Sequence, residues 1–218
     1  MAIRAVIFDM DGVLVDSEPH WEQARIELAE AYGRRWSEEH QRKAMGSATV
    51  EWASLMREAL SLPLSVDDVI DEIRRRMVAH YERHLPLLPG ALAAVRLAAS
   101  AYPVALASGS MTALIEYVLA ATGLDRVMTA VVYGDSIPRG KPAPDIYLEA
   151  ARRLAVAPAD CVGVEDSGNG IRALRAAGMK AIAVPSPKYP LAGEVLALAH
   201  RRLPTLEAFS IELLREMG

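Results

Sequence analysis

The chain has 218 residues, of which 52% are hydrophobic and 24% charged, with a formal net charge of −4. That length holds one good core plus an inserted subdomain, and the composition excludes a disordered chain. The acidic balance gives no reason to expect nucleic acid, whose phosphates demand a basic face, and no apolar stretch approaches the ~20 residues that span a bilayer.

Residues 3–8 read as a buried strand that enters directly, with no basic leader or cleavage signal before it. It runs into Phe8-Asp9-Met10-Asp11-Gly12. Strand periodicity would aim Asp9 and Asp11 to one side, and Gly12 permits a tight turn. Two acids at the mouth of a buried strand repel, which raises the pKa of at least one or recruits a cation. From Glu18 to about Leu85 only helical periodicity follows. Trp21, Ala24, Leu28 and Tyr32 mark a first helix before Gly33, Ser37 opens a second toward Gly46, and Thr49 a third to about Leu60. Ser65 caps a fourth that continues through Arg74-Arg75-Arg76. Four successive helices predict a small bundle.

Beyond Pro86–Pro89 the pattern alternates: strands at 103–107, 129–133, 161–164 and 180–184, helices at 111–122, 143–154 and 170–177. Apolar strands separated by helices imply a parallel sheet covered on both faces. The expected class is therefore α/β, a Rossmann-like core of residues 1–16 and 87–218 interrupted by a helical insert of residues 17–86. Cys161, the one cysteine, sits in an apolar run and reads as an inert buried thiol. The absence of any disulfide partner fits a reducing compartment, and a soluble cytoplasmic protein with no obligate protein partner is expected.

Ligands of open parallel sheets sit beyond the carboxyl ends of the strands, and four such ends carry unusual polar residues. The first has Asp9 and Asp11, the second Ser108-Gly109-Ser110 before a helix, the third loop Gly140-Lys141-Pro142, and the fourth Glu165-Asp166-Ser167-Gly168-Asn169-Gly170. Small residues at a helix start suit an anion, and the acids supply hard oxygen ligands; phosphate and Mg²⁺ satisfy that inventory best. Each piece alone has a plainer reading: a turn or calcium loop for Asp-x-Asp-Gly, a helix cap for the serines, a solvated loop residue for Lys141, a dipole-complementing pair for Glu165-Asp166. The calcium loop lacks its further ligands and closing glutamate. A P-loop reading of Gly134–Lys141 fails on spacing, and Pro142 stands where a metal-binding Ser or Thr is required.

Taken together in this order, the motifs resemble those of the haloacid dehalogenase superfamily of hydrolases over essentially the full length. Phe8–Ser17 is similar to the first family motif, Ser108 to the second, Lys141 to the third, and Glu165-Asp166 to the fourth. The helical insert resembles the small cap of the subgroup with sugar-phosphate phosphatases and β-phosphoglucomutase. Asp16-Ser17-Glu18-Pro19 and Gly163–Gly170 look most like the 2-deoxyglucose-6-phosphate or hexitol phosphatase branch.

The resemblance implies a Mg²⁺-dependent phosphatase acting on a small phosphorylated metabolite. In it Asp9 attacks phosphorus, and Asp11 protonates the leaving oxygen and then activates water. Ser108, the Gly109 amide and Lys141 bind the phosphoryl oxygens. It also implies that the Asp9 carboxylate, the Asp11 backbone carbonyl and the Asp166 carboxylate hold Mg²⁺, with Glu165 behind them. A haloacid dehalogenase is disfavoured because Asp11 is acidic where no leaving oxygen would need a proton. A phosphonatase would want a cap lysine, for which Lys43 is the one candidate. β-Phosphoglucomutase shares all four motifs, but its relatives place an arginine after the cap glycine, and Gly46-Ser47-Ala48-Thr49-Val50 has none. The same gap departs from the sugar-phosphatase pattern. A non-catalytic phospholigand-binding protein would usually lose Asp9, Asp11 or Lys141.

Among the remaining candidates, His80 and His84 lack the third ligand that zinc requires. Arg74–Arg76 after Asp71-Glu72 reads as a salt-bridged face. His20, Trp21 and Trp52 are expected to pack the interior of the insert.

Overall fold

The computed structural model describes residues 2–45 and 47–218. Two compact units make up the chain, Met1–Asp16 with Leu87–Gly218, and Ser17–Pro86. Strand β1 (Ala5–Phe8) opens the first unit, and helices α1 (Glu18–Ala31), α2 (Glu38–Ala44), α3 (Thr49–Leu60) and α4 (Val66–Arg83) form the second. The chain then returns through α5 (Ala91–Ala99), β2 (Val104–Ser108), α6 (Thr112–Thr122), β3 (Ala130–Tyr133), α7 (Asp145–Leu154), β4 (Cys161–Glu165), α8 (Gly168–Ala176) and β5 (Lys180–Ala183). It closes with α9 (Gly193–Leu196), β6 (Arg201–Arg202) and α10 (Ile211–Glu216).

The six strands form one sheet in the order β3-β2-β1-β4-β5-β6, and every pairing is parallel. This is the expected α/β architecture. Strand β1 lies between β2 and β4, with Phe8 opposite Leu106 on one side and Val164 on the other. Every residue of β1, β2 and β4 is buried, which is why these strands read as continuous apolar runs rather than alternating ones. Ile7, Ala105, Tyr147, Cys161 and Leu174 share one core cluster. Among the described residues no helix is long and apolar enough to cross a membrane.

Two features of the first unit escape periodicity. Helix α5 buries Ala91, Ala94, Val95 and Ala98, a regular i, i+3, i+4, i+7 face. Its outward positions are also mostly alanine and leucine, so no polar contrast marks the stripe. Strand β6 is two exposed arginines, recognisable only by its pairing with β5.

Beyond β1 the chain does not stay extended. The Asp9 amide still donates to the Val164 carbonyl (3.1 Å), but the Leu14 and Val15 amides both return to the Met10 carbonyl and the Gly12 amide to Val15. Val15 then bridges to Leu87, and the Leu88 amide donates to the Leu14 carbonyl at 2.9 Å. The chain thus leaves and re-enters the first unit at neighbouring points.

Within the helical unit α4 packs on α1 and α3, and α2 on α3. Trp21 and Trp52 meet edge to face at 5.7 Å and both are buried, as expected of interior packing. Between them lies a buried charge that periodicity did not flag: the Arg25 guanidinium is 5.3 and 5.5 Å from the two rings. Its partner Gln41 Oε1 (3.2 Å) also accepts from Trp36 Nε1 (2.8 Å), while Gln41 Nε2 donates to Glu18 at 2.6 Å. His80 engages Glu27 through Nε2 and Arg83 through Nδ1, and His20 stacks on its ring. Arg74 pairs with Asp71, and Arg75 and Arg76 with Glu72. Gly46, the expected end of the second helix, lies outside the described residues.

Candidate active site

The carboxyl ends of β1, β2 and β4, with the loop after β3, bring together Asp9, Asp11, Ser108, Lys141, Glu165 and Asp166. Asp9 is one residue beyond β1, Ser108 and Glu165 are the last residues of β2 and β4, and Asp166 follows at the start of the turn into α8. Lys141 Nζ lies 2.9 Å from Asp9 Oδ1 and 2.6 Å from Glu165 Oε1, so one cation bridges two buried acids.

The two aspartates of the first motif do not share partners. Asp9 faces the lysine, whereas Asp11 Oδ2 accepts hydrogen bonds from the hydroxyls of Ser108 (3.0 Å) and Ser110 (2.8 Å) at the end of β2. Strand alternation does not extend from one to the other, because the backbone turns at Met10. Ser108 Oγ in turn accepts from the Ser110 amide at 3.1 Å.

The serines do not cap the following helix, and the start of α6 is not open to an anion at Thr112. The Asp135 carboxylate takes that amide (3.2 Å) and the Thr112 hydroxyl (2.8 Å). Gly109 lies between the serines, and Gly134 packs on its backbone so closely that a Cβ there would lie 2.6 Å from the Gly109 carbonyl oxygen.

Glu165 and Asp166 are neighbours with opposite surroundings. Glu165 is fully buried, and a carboxylate has about four acceptor positions. Oε1 accepts from Lys141 and from the Tyr147 hydroxyl, both at 2.6 Å, and Oε2 from the Ser167 amide and hydroxyl, both at 3.0 Å. Burial works against its ionised form, yet Lys141 and these hydrogen bonds outweigh it and hold the pKa below the ordinary glutamate value. At Asp166 the Lys141 charge does not outweigh burial and the neighbouring acids. Burial first, then Glu165 and Asp9, push its pKa well above the carboxylate range.

Asp9 is raised to about 7, by burial first and by Glu165 and Asp11, against the opposing charge of Lys141. Burial disfavours the charge on Lys141, but Asp9 and Glu165 more than offset it and hold the ammonium ionised well above its usual range.

Two glycines admit this crowding. Gly12, at φ +74°, is in the left-handed region open to glycine, and a Cβ there would lie 2.0 Å from Asp166 Oδ2. A Cβ on Gly170 would lie 1.7 Å from Glu165 Oε1.

Asp9, Glu165 and Asp166 each offer a carboxylate oxygen, and these oxygens lie within 4.8 Å of one another. Three acids around one lysine leave an excess of buried negative charge, and Asp9 Oδ1 is buried without an aligned hydrogen bond, its lysine contact included. Hard oxygen donors with uncompensated charge fit a divalent cation. With Glu165 already saturated, Asp9 and Asp166 are the two side chains free to hold it.

A family model described as haloacid dehalogenase-like hydrolase matches residues 3–178. The chain belongs to this family. It is 35% identical over 192 residues to hexitol phosphatase B of Escherichia coli, covering 85% of each protein. It is 38% identical over 198 residues to the bifunctional riboflavin kinase/FMN phosphatase of Arabidopsis thaliana, covering 88% of this chain and about half (52%) of that protein. Among solved structures, the CbbY protein of Rhodobacter sphaeroides in complex with phosphate superposes with a TM-score of 0.84 at 28% identity, covering 97% of this chain and 99% of the other.

Three residues around the site were not foreseen: Ser110 as a partner of Asp11, Asp135 as the cap of α6, and Tyr147. Tyr147 was legible only as an apolar position on α7, although a buried tyrosine needs a partner for its hydroxyl. Its loss is measurable. A hydrogen bond to a buried charged group contributes about 1.5–3 kcal/mol, so Tyr147→Phe should lower the unfolding free energy by that much, read as a lower denaturant midpoint at unchanged slope. An unaltered midpoint would mean that Glu165 does not depend on the phenol.

Proposed function

We propose that this phosphomonoester hydrolase cleaves a small phosphorylated metabolite, a sugar or sugar-alcohol phosphate, through a phosphorylated Asp9. The observation that carries the reading is the pairing of buried Asp9 with Lys141 beside Asp166, while Asp11 is held apart by hydroxyls. One carboxylate is thereby placed as a nucleophile and the other for proton transfer. The similarity to hexitol phosphatase B across most of both chains supports the substrate class.

In this reading Asp9 attacks phosphorus. As the bond to the leaving oxygen breaks, Asp11 gives that oxygen its proton, and then takes one from the water that hydrolyses the acyl phosphate. Such acid–base help contributes about 10²–10⁴-fold. Lys141 stays charged and, with the Ser108 hydroxyl and the Gly109 amide, binds the phosphoryl oxygens.

Asp9, Asp166 and the Asp11 backbone carbonyl would hold Mg²⁺, with Glu165 fixing Lys141 from behind. The cation would supply charge neutralisation between an anionic nucleophile and an anionic phosphate.

A phosphate-release screen with Mg²⁺ over polyol, sugar, nucleotide and glycolate phosphates tests the substrate class; turnover confined to nucleotides would overturn it. Asp9→Asn should abolish turnover, by at least about 10³-fold given what the loss of an enzymic nucleophile costs, while circular dichroism remains unchanged. Near-normal turnover would remove Asp9 from the role.

The raised pKa of Asp9 gives a pH dependence of defined sign. A carboxyl near 7 in the fold, against its ordinary 3.8, favours the metal-free fold at low pH, and that contribution is lost as pH rises from about 4 to about 7. Binding of Mg²⁺ must displace this proton, so the ionisation of Asp9 alone should raise its affinity about fivefold from pH 6 to 7. Calorimetric titration that shows equal affinity at both values would contradict this.

A further inference from the structure

Asp11 has two hydroxyl partners on one oxygen. Ser108 and Ser110 both donate to Oδ2, at 3.0 and 2.8 Å, while Oδ1 is buried with no hydrogen-bond partner among the described residues. A serine hydroxyl has a single proton to give. In the reading above Ser108 must turn that proton toward a phosphoryl oxygen, and it cannot then also hold Asp11. Ser110, 7% exposed, has no such second duty.

We propose that Ser110 is the positioning residue of the proton-transfer step: its hydroxyl stays on Asp11 Oδ2 when Ser108 engages the substrate, and so assigns Oδ1 as the oxygen that carries and delivers the proton. This rests on the reading of Asp11 as the acid and base.

The chemistry follows from the acceptor pattern. An oxygen that accepts from a hydroxyl behaves as the carbonyl oxygen of a protonated carboxyl, which places the acidic hydrogen on the other one. Oδ1 then passes its proton to the bridging oxygen of the substrate as the phosphorus–oxygen bond breaks and its electron pair moves to that oxygen. In the second half, water adds to phosphorus and loses a proton to Oδ1, and the pair of the breaking acyl phosphate bond returns to Asp9. An orphaned buried oxygen costs free energy, and its persistence here is explained by a reacting partner that substrate or water supplies. Without the Ser110 contact the carboxyl would rotate freely about its last torsion, and the two oxygens would exchange.

The test compares leaving groups, because general-acid help matters for an alkoxide and hardly for p-nitrophenolate. With the full chain and Mg²⁺, Ser110→Ala should lower kcat/KM for sorbitol 6-phosphate about 10–100-fold, part of the acid–base contribution, and for p-nitrophenyl phosphate by less than about threefold. Ser110→Thr, which keeps the hydroxyl, should restore most of the alkyl phosphate rate. Equal losses on both substrates would mean a packing role, and no loss on either would mean that Asp11 needs no anchor; both overturn the proposal. Asp11→Asn, run in parallel, separates this from the parent reading. If it lacks the leaving-group signature, Asp11 is not the acid. If it shows the signature and Ser110→Ala does not, only the role of Ser110 falls.

Discussion

Lys141 between Asp9 and Glu165 is the contact on which the rest of the site depends. Ionised groups out of water each lose several kcal/mol of hydration, and mutual attraction repays this only where geometry and further hydrogen bonds are good. The ammonium at 2.6 and 2.9 Å from two carboxylates meets that condition for one acid and leaves a second and third in excess. Glu165 takes the larger share, with the phenol of Tyr147 and two donors of Ser167 completing its shell. Asp9 and Asp166 are left with raised pKa values. The imbalance is what makes the cluster receptive to a cation, and the saturation of Glu165 decides which acids would receive it.

Environment rather than residue type thus separates adjacent carboxylates. Glu165 is fully buried and Asp166, the next residue, half-buried, yet the glutamate is held ionised and the aspartate is pushed toward its neutral form. The difference lies in what surrounds each. Gly170 leaves room for the glutamate, and Gly12 leaves room for the aspartate at the other wall. Side chains at either glycine would occupy the space of the carboxylates themselves.

Much of this was legible in the chain. The alternation of apolar runs and helical periods located the central strands, since strands buried on both faces have no polar interruptions. Asp9, Ser108 and Glu165-Asp166 were legible because polar residues stand where those runs end, and Lys141 because Gly140 and Pro142 frame it in a loop. Ser110, Tyr147 and Asp135 were not, for three different physical reasons. Ser110 looked like a helix-capping serine, and what it binds depends on the turn at Met10 that sends Asp11 toward β2. Tyr147 lies on an ordinary buried helical face, and its hydroxyl finds Glu165 only through the packing of α7 on the sheet. Asp135 caps a helix 23 residues earlier in the chain, a distance at which no local pattern operates. Arg25 was hidden in the same way, since a buried arginine between two tryptophans is set by tertiary packing alone.

The strand order explains why the two aspartates part company. With β1 between β2 and β4, a residue just past β1 can be reached from either neighbour. The β4 side offers acids, which the lysine of the loop after β3 reaches; the β2 side offers hydroxyls. Asp9 is still hydrogen-bonded through its backbone to β4, at the Val164 carbonyl, and takes the charged environment. Asp11 comes after the turn has begun and takes the hydroxyl environment. A single intervening residue, Met10, is enough for this because the carbonyl of Met10 accepts the amides of Leu14 and Val15 and ends the strand there. Had the strand run two residues further, both carboxylates would have faced the same lysine and repelled each other across it. The early turn converts a pair of like charges into two groups with separate surroundings, which is the arrangement that a nucleophile and a proton carrier in one site require.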